Sequence, residues 1–214
     1  MIFDLDGTLV DTVDTRIRAW TRALRERGID ADRDQLAELI GADGRLVARR
    51  MAEAAGVTLT DADASEVDAR SGVIYAELNT DPRSLPGVDE ALAELARHRI
   101  PWAIATSSRP EQVAASVEAL RLRQRPVIVD GGTVTNAKPA PDLLFAAAAR
   151  LSVPVASAWA VGDAVWDMQA AAAAGATGVG VTTGAASEAA LRAHGARVVI
   201  GTLAELRDHL GRAR

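Results

Sequence analysis

The chain predicts an α/β fold, a doubly wound parallel sheet with a small all-helical unit inserted near its start. Three observations carry this. From residue 85 onward, short apolar runs alternate with helical patterns, the mark of a parallel sheet. Between residues 13 and 81 apolar residues recur at helical spacing, with no strand pattern. Polar residues collect just after the apolar runs, where such sheets bind ligands.

Taken in order, Ile2-Phe3 reads as the end of a buried strand. Only three residues precede Asp4, against about five to six in a typical strand, so this strand is expected to be short, whether or not residues are missing before it. Residues 13–27 form a helix with Ile17, Trp20, Ala23 and Leu24 inward, stopped by Gly28. Residues 32–55 form two helices, parted by a loop with Gly41 and Gly44. Residues 61–79 form another, with Val67, Val73, Ile74 and Leu78 apolar.

After the Leu85-Pro86-Gly87 turn comes a helix with Val88, Ala91, Leu92 and Leu95 on one face. Strands follow at residues 102–105, 127–129, 159–161, 178–181 and 198–200. The helices between them start at a Ser108-x-x-Glu111 capping box, near Leu143, near Ala164 and at Ser187, and a short helix closes the chain. The alanine run at residues 170–174 is good helix material that can pack closely.

Composition narrows the function. The chain has 214 residues, enough for one domain plus a small one, and 49% are hydrophobic, enough for a real core. The net charge of −5 has no basic stripe, which argues against nucleic acid. With no cysteine there is no thiolate chemistry or disulfide. No apolar run approaches 18 residues and no basic-apolar leader opens the chain. A cytoplasmic monomer is expected, with no membrane partner. His98, His194 and His209 sit near helix ends among charged neighbours and read as surface residues.

The chemistry concentrates in Phe3-Asp4-Leu5-Asp6-Gly7-Thr8-Leu9-Val10-Asp11-Thr12. Side chains two apart in an extended chain point the same way, so Asp4 and Asp6 emerge together. Paired carboxylates repel unless one is protonated or a hard divalent cation neutralises both. Asp-x-Asp alone is also common at strand ends without function.

This stretch resembles the nucleophile motif of the haloacid dehalogenase superfamily. Three further strings support the resemblance, in the family's order. Thr106 ends an apolar strand, where the family places a phosphate-binding hydroxyl, with Ser107 beside it; either could instead serve as a helix-start hydroxyl. Lys138 lies in Asn136-Ala137-Lys138-Pro139-Ala140-Pro141-Asp142, resembling the third motif. Gly162-Asp163-Ala164-Val165-Trp166-Asp167 resembles the fourth; its carboxylates, four apart on a helix, share a face. Trp166 between them reads as packing.

The resemblance implies a Rossmann-like catalytic core over residues 1–13 and 82–214 and a helical cap over residues 14–81. It implies an Mg²⁺ ion held by Asp4, the backbone carbonyl of Asp6, Asp163 and waters. Asp167 would lie one layer further out, orienting Lys138 or a metal-bound water. Asp4 would attack phosphorus and become an aspartyl phosphate, with Lys138 offsetting charge. Asp6 would give a proton to the leaving oxygen and later take one from water. The family's dehalogenases and phosphonatases lack an acid at the Asp6 position, so phosphate-ester chemistry is implied. Arg16 and Arg45 are the candidate cap contacts to substrate, or else solvated charges. Where this chain has Arg16, sugar-phosphate mutases often have His, which weakens a mutase reading. The expected activity is an Mg²⁺-dependent phosphatase of a small phosphorylated metabolite. The alternatives are a sugar phosphomutase of the β-phosphoglucomutase kind and a non-catalytic phospho-accepting regulator.

Overall fold

The structure is a computed structural model that describes residues 1–210. Its sheet has six parallel strands: β1 (Ile2–Phe3), β2 (Ala103–Ala105), β3 (Val127–Val129), β4 (Trp159–Gly162), β5 (Thr177–Val181) and β6 (Val198–Ile200). Their order is β3-β2-β1-β4-β5-β6. That order runs outward in both directions from β1 and β4, the doubly wound arrangement. The first strand is short, as expected, yet it pairs on both sides, with β2 and with β4.

Alternation along each strand feeds two apolar layers. Phe3, Ile104, Val161 and Val179 pack with helices α5 (Val88–Arg97), α6 (Pro110–Ala119) and α10 (Leu206–Leu210). Ile2, Ala103, Ala105 and Ala160 pack with α7 (Asp142–Arg150) and α8 (Val165–Ala174). Ala170, Ala171 and Ala174 of the alanine run lie in this second layer. Helix α9 (Glu188–Ala193) opens at Ser187, whose hydroxyl accepts from Ala190 N.

Helices α1 (Val13–Arg25), α2 (Arg33–Leu39), α3 (Gly44–Ala54) and α4 (Asp61–Leu78) gather around their own apolar cluster, with Ile17, Trp20, Leu36, Met51, Val67 and Ile74 at its centre. A reciprocal Thr60–Asp63 capping box starts α4. Two passages of chain join these helices to the sheet, and they pair with each other. Asp11 N donates to Arg83 O at 2.9 Å and Leu85 N to Leu9 O at 3.0 Å, on either side of an antiparallel bridge between Val10 and Ser84.

One local expectation fails. Ser108 does not cap α6. The helix starts at Pro110, and Gln112 Oε1 accepts from Arg109 N instead. Proline suits the first helical turn and keeps the residue before it out of the helical region, which moves the cap position from Ser108 to Arg109. Val73, one of the apolar residues of α4, is half exposed. The inward face of α4 includes Ser71 and Tyr75, because that side meets the sheet unit as well as the other helices.

Candidate active site

The site lies where β1 and β4 run side by side and the winding reverses, just beyond their carboxyl ends. Asp4 follows β1 directly, and Asp163 follows β4. Asp167 is on the first turn of α8, where its carboxylate also accepts from Ala164 N at 3.0 Å. Oxygens of these three buried carboxylates lie within 4.8 Å of one another. Lys138, on the loop before α7, is equally buried. Its ammonium is bonded to Asp4 Oδ1 and lies 2.7 Å from Asp167 Oδ1.

One ammonium cannot balance three carboxylates. Burial pushes the Asp4 carboxyl up to about 7; Asp167 and Asp6 add to this, and Lys138 opposes it. Burial also holds Asp163 well above the usual range, with Asp4 and Asp167 adding to it and the bond from Thr8 opposing it. For Lys138, burial favours the neutral form, but Asp167 and Asp4 outweigh it and hold the ammonium above its usual value. With all four groups ionised, the cluster carries two excess negative charges. A hard divalent cation with oxygen ligands fits that donor set and that deficit.

The turn after Asp6 serves the same cluster. Thr8 Oγ1 donates to Asp163 Oδ1 at 2.8 Å. Gly7 has φ +82°, and a Cβ there would sit 2.4 Å from Asp163 Oδ2. Only glycine meets both demands.

Asp6 points elsewhere. Its Oδ1 accepts from Thr12 Oγ1 at 2.6 Å and from the Tyr75 hydroxyl at 2.9 Å. Its Oδ2 accepts from Arg16 Nη2 at 2.9 Å and from Ser108 Oγ at 2.8 Å. Burial alone would raise this carboxyl, but the Arg16 charge and the donated hydrogen bonds bring it below the usual range. The Asp6 carboxylate is therefore outside the acidic triad, and Asp167 is within it.

A small cavity of about 50 Å³ opens between the sheet unit and the helices. Asp4, Asp6, Thr106, Ser107 and Ser108 line it from the sheet side; Arg16, Trp20, Gly44, Asp68 and Ser71 line it from the helical side. Thr106 Oγ1 accepts from Ser108 N, and Ser107 Oγ donates to Gly41 O across the gap. Arg16 lines the wall, but its guanidinium is engaged by Asp6, Ser108 and Gln112 and lies over the Tyr75 ring, 3.4 Å from the centroid. Arg45 is not brought to the wall: it pairs with Asp43 at 3.0 Å and donates to Thr135 O. Trp166 Nε1 donates to Glu38 O, which ties α8 to α2.

Residues 1–181 match the model of the haloacid dehalogenase-like hydrolases. The chain belongs to that family. Members of this hydrolase family generally use a divalent metal, in keeping with the triad. Among its relatives is a phosphoglycolate phosphatase of Pectobacterium atrosepticum, 31% identical over 187 residues, covering 86% of this chain and 80% of the relative. A β-phosphoglucomutase of Bacillus subtilis is 32% identical over 189 residues, covering 86% and 83%. A solved hydrolase from Pseudomonas syringae superposes with TM-score 0.92 at 34% identity, covering 99% of this chain and 97% of that one. The Arabidopsis thaliana protein SUPPRESSOR OF QUENCHING 1 is 30% identical over 204 residues, but there the chain spans only 19% of the relative's length. No helix among the described residues is long and apolar enough to cross a membrane.

Sequence reasoning missed Thr8, Thr12, Asp68, Tyr75, Ser108 and Gln112. A signal for two of them was present. Asp68, Ser71, Tyr75 and Asn79 recur at spacings of three and four, a polar stripe that runs along α4 to its end, beside its apolar one.

Proposed function

We propose that this hydrolase is an Mg²⁺-dependent phosphatase of a small phosphorylated metabolite, working through an aspartyl phosphate on Asp4. One observation carries the reading. Within the carboxylate triad, only Asp4 also lines the cavity, so only Asp4 faces both the charge cluster and the space for substrate.

Asp4, Asp163 and the backbone carbonyl of Asp6 would hold the cation, with Asp167 beside them orienting Lys138, and the cation when bound screens the charge between a carboxylate nucleophile and a phosphate dianion. Lys138 fixes the Asp4 carboxylate and keeps its negative charge tolerable in a buried place. An Asp4 oxygen attacks phosphorus as the ester oxygen leaves. The Thr106 hydroxyl, with neighbouring backbone N–H groups, holds phosphoryl oxygens. Asp6 gives its proton to the leaving oxygen; in the second half it takes one from the water that attacks the aspartyl phosphate, and inorganic phosphate is released. The four bonds to Asp6 hold it ionised, the state needed for the second half. For the first half, the Arg16 pair must open so that Asp6 can carry a proton.

Residues 14–81 act in this reading as a cap domain over a catalytic core of residues 1–13 and 82–214. A cavity of about 50 Å³ holds water and little else. Substrate entry requires the helices to swing away, bending at the paired passages near Val10–Asp14 and Asp81–Pro86.

The test is phosphate release from a panel of phosphorylated metabolites with Mg²⁺, combined with acid-quench trapping. Phosphate release together with a phosphorylated peptide containing Asp4 supports the reading. Turnover with phosphate found on another residue, or on none, refutes the aspartyl-phosphate step.

A further inference from the structure

The cap-side wall of the cavity carries a carboxylate that the proposed chemistry does not use. Asp68 projects from α4 into the wall, with its side chain mostly covered. Its Oδ2 accepts from Arg109 Nη2 at 2.6 Å. Among the described residues, Oδ1 accepts no hydrogen bond. Space for that oxygen exists because residue 44 is glycine: a Cβ there would lie 1.9 Å from Oδ1. Burial raises this carboxyl above the usual range, and Arg109 only partly offsets it. Asp68 is thus a poorly solvated acceptor with one oxygen unused.

The rest of the wall bears on what could meet it. Its charged members are Asp4, Asp6 and Asp68 against Arg16, and Arg16 is already bonded to Asp6. Arg109 is not part of the wall. The wall therefore offers no unclaimed cation, among the described residues, for a carboxylate or second phosphate on the substrate. Such a group would be brought beside Asp68 in a partly dry space, where like charges repel strongly. A hydroxyl, by contrast, would donate to Asp68 Oδ1 in a charge-assisted hydrogen bond. Trp20, also on the wall, offers an apolar face to a carbon skeleton.

We propose that Asp68 is a specificity-determining residue that selects a neutral, hydroxyl-bearing phosphate monoester and rejects esters with a second anionic group. This rests on the phosphatase reading and deepens it. It also disfavours a mutase, because a phosphomutase must seat a phosphate at either end of its substrate.

The experiment compares kcat/KM, from phosphate release with Mg²⁺, on glycerol 1-phosphate and glucose 6-phosphate against 2-phosphoglycolate and fructose 1,6-bisphosphate. Wild type and Asp68→Asn are assayed, with Gly44→Ala as a second variant that crowds the same oxygen. The wild-type enzyme should prefer the neutral esters by roughly tenfold or more. Asp68→Asn should shrink that ratio by a similar factor, since it keeps the shape and removes the charge. Gly44→Ala should shrink it in the same direction. Equal losses on all four esters in Asp68→Asn would make the Asp68–Arg109 pair a structural tie and overturn the proposal. A wild-type preference for 2-phosphoglycolate or the bisphosphate would overturn it too. Release from none of these esters nor from p-nitrophenyl phosphate would instead refute the phosphatase reading, and the Asp68 assignment with it.

Discussion

With divalent metal stripped, the wild-type protein should lose more stability between pH 5.5 and pH 8 than Asp4→Asn does. The cause is the carboxylate cluster. Asp4 has a carboxyl pushed up to about 7 in the fold, against 3.8 as its ordinary value. Between those values the folded chain binds a proton that the unfolded chain does not, so stability is full below the lower value and is lost as pH rises through the upper one. Each unit is worth about 1.4 kcal/mol, so the loss between pH 5.5 and 8 from Asp4 alone is about 2 kcal/mol. Asp163 is raised too and acts with the same sign. Asp6 is shifted down, so its contribution changes only below its ordinary value of 3.8, outside this window. Burial lowers the Met1 amino group from 8.0 to about 6, so across this window it acts with the opposite sign and by a similar amount, and the Asp4 share is read as the difference between wild type and Asp4→Asn. For a chain of this size, that Asp4 share of about 2 kcal/mol corresponds to about 4–8 °C in the melting midpoint, as the difference between wild type and Asp4→Asn. Urea unfolding in EDTA, followed by fluorescence of the four tryptophans, measures the difference. Mg²⁺ should restore stability at pH 8 far more than at pH 5.5, because bound protons compete with the cation. Asp4→Asn should remove the Asp4 share of the slope. An unchanged slope in Asp4→Asn would refute the reasoning.

Asp4→Asn should also cut turnover by at least about 10³-fold while remaining folded; a variant keeping a few per cent of wild-type rate would remove Asp4 as nucleophile. Arg16→Gln should raise the Asp6 pKa, because Arg16 is the main group holding it down, so the acidic limb of the kcat pH profile should move upward; an unmoved limb would detach Asp6 from the rate. EDTA should abolish activity, Mg²⁺ should restore it and Ca²⁺ should inhibit, since Ca²⁺ takes more ligands at longer distances. Full activity after exhaustive dialysis against EDTA would exclude the metal role.

The strands and most helices were legible because their apolar periods are local. The carboxylates and Lys138 were legible for a related reason: each sits in a short string whose neighbours constrain it, such as the prolines that flank Lys138. What wraps Asp6 was not legible, because Tyr75 and Ser108 are distant in sequence and meet it only once α4 docks on the sheet unit. Arg45 could have been read better. Asp43, two residues earlier, caps α3 and also takes the Arg45 guanidinium, a short-range pairing that leaves no charge for a substrate. Ser108 was misplaced because the capping pattern was weighed without Pro110 two residues on.

The paired passages that join the helices to the sheet carry a consequence for how this architecture diversifies. Leu9 to Asp11 and Arg83 to Leu85 lie side by side, so the chain leaves and re-enters the sheet unit at almost one point. To the sheet, the whole insert is a loop whose ends are already held together. Closing a loop costs only about 0.6 kcal/mol more for each doubling of its length. The insert can therefore lengthen, shorten or be exchanged for another helical unit while β1 and α5 keep their positions. On the proposed function, selectivity belongs to the insert while the carboxylates and Lys138 stay fixed in the sheet unit, so grafting another helical unit at this junction should change the substrate range.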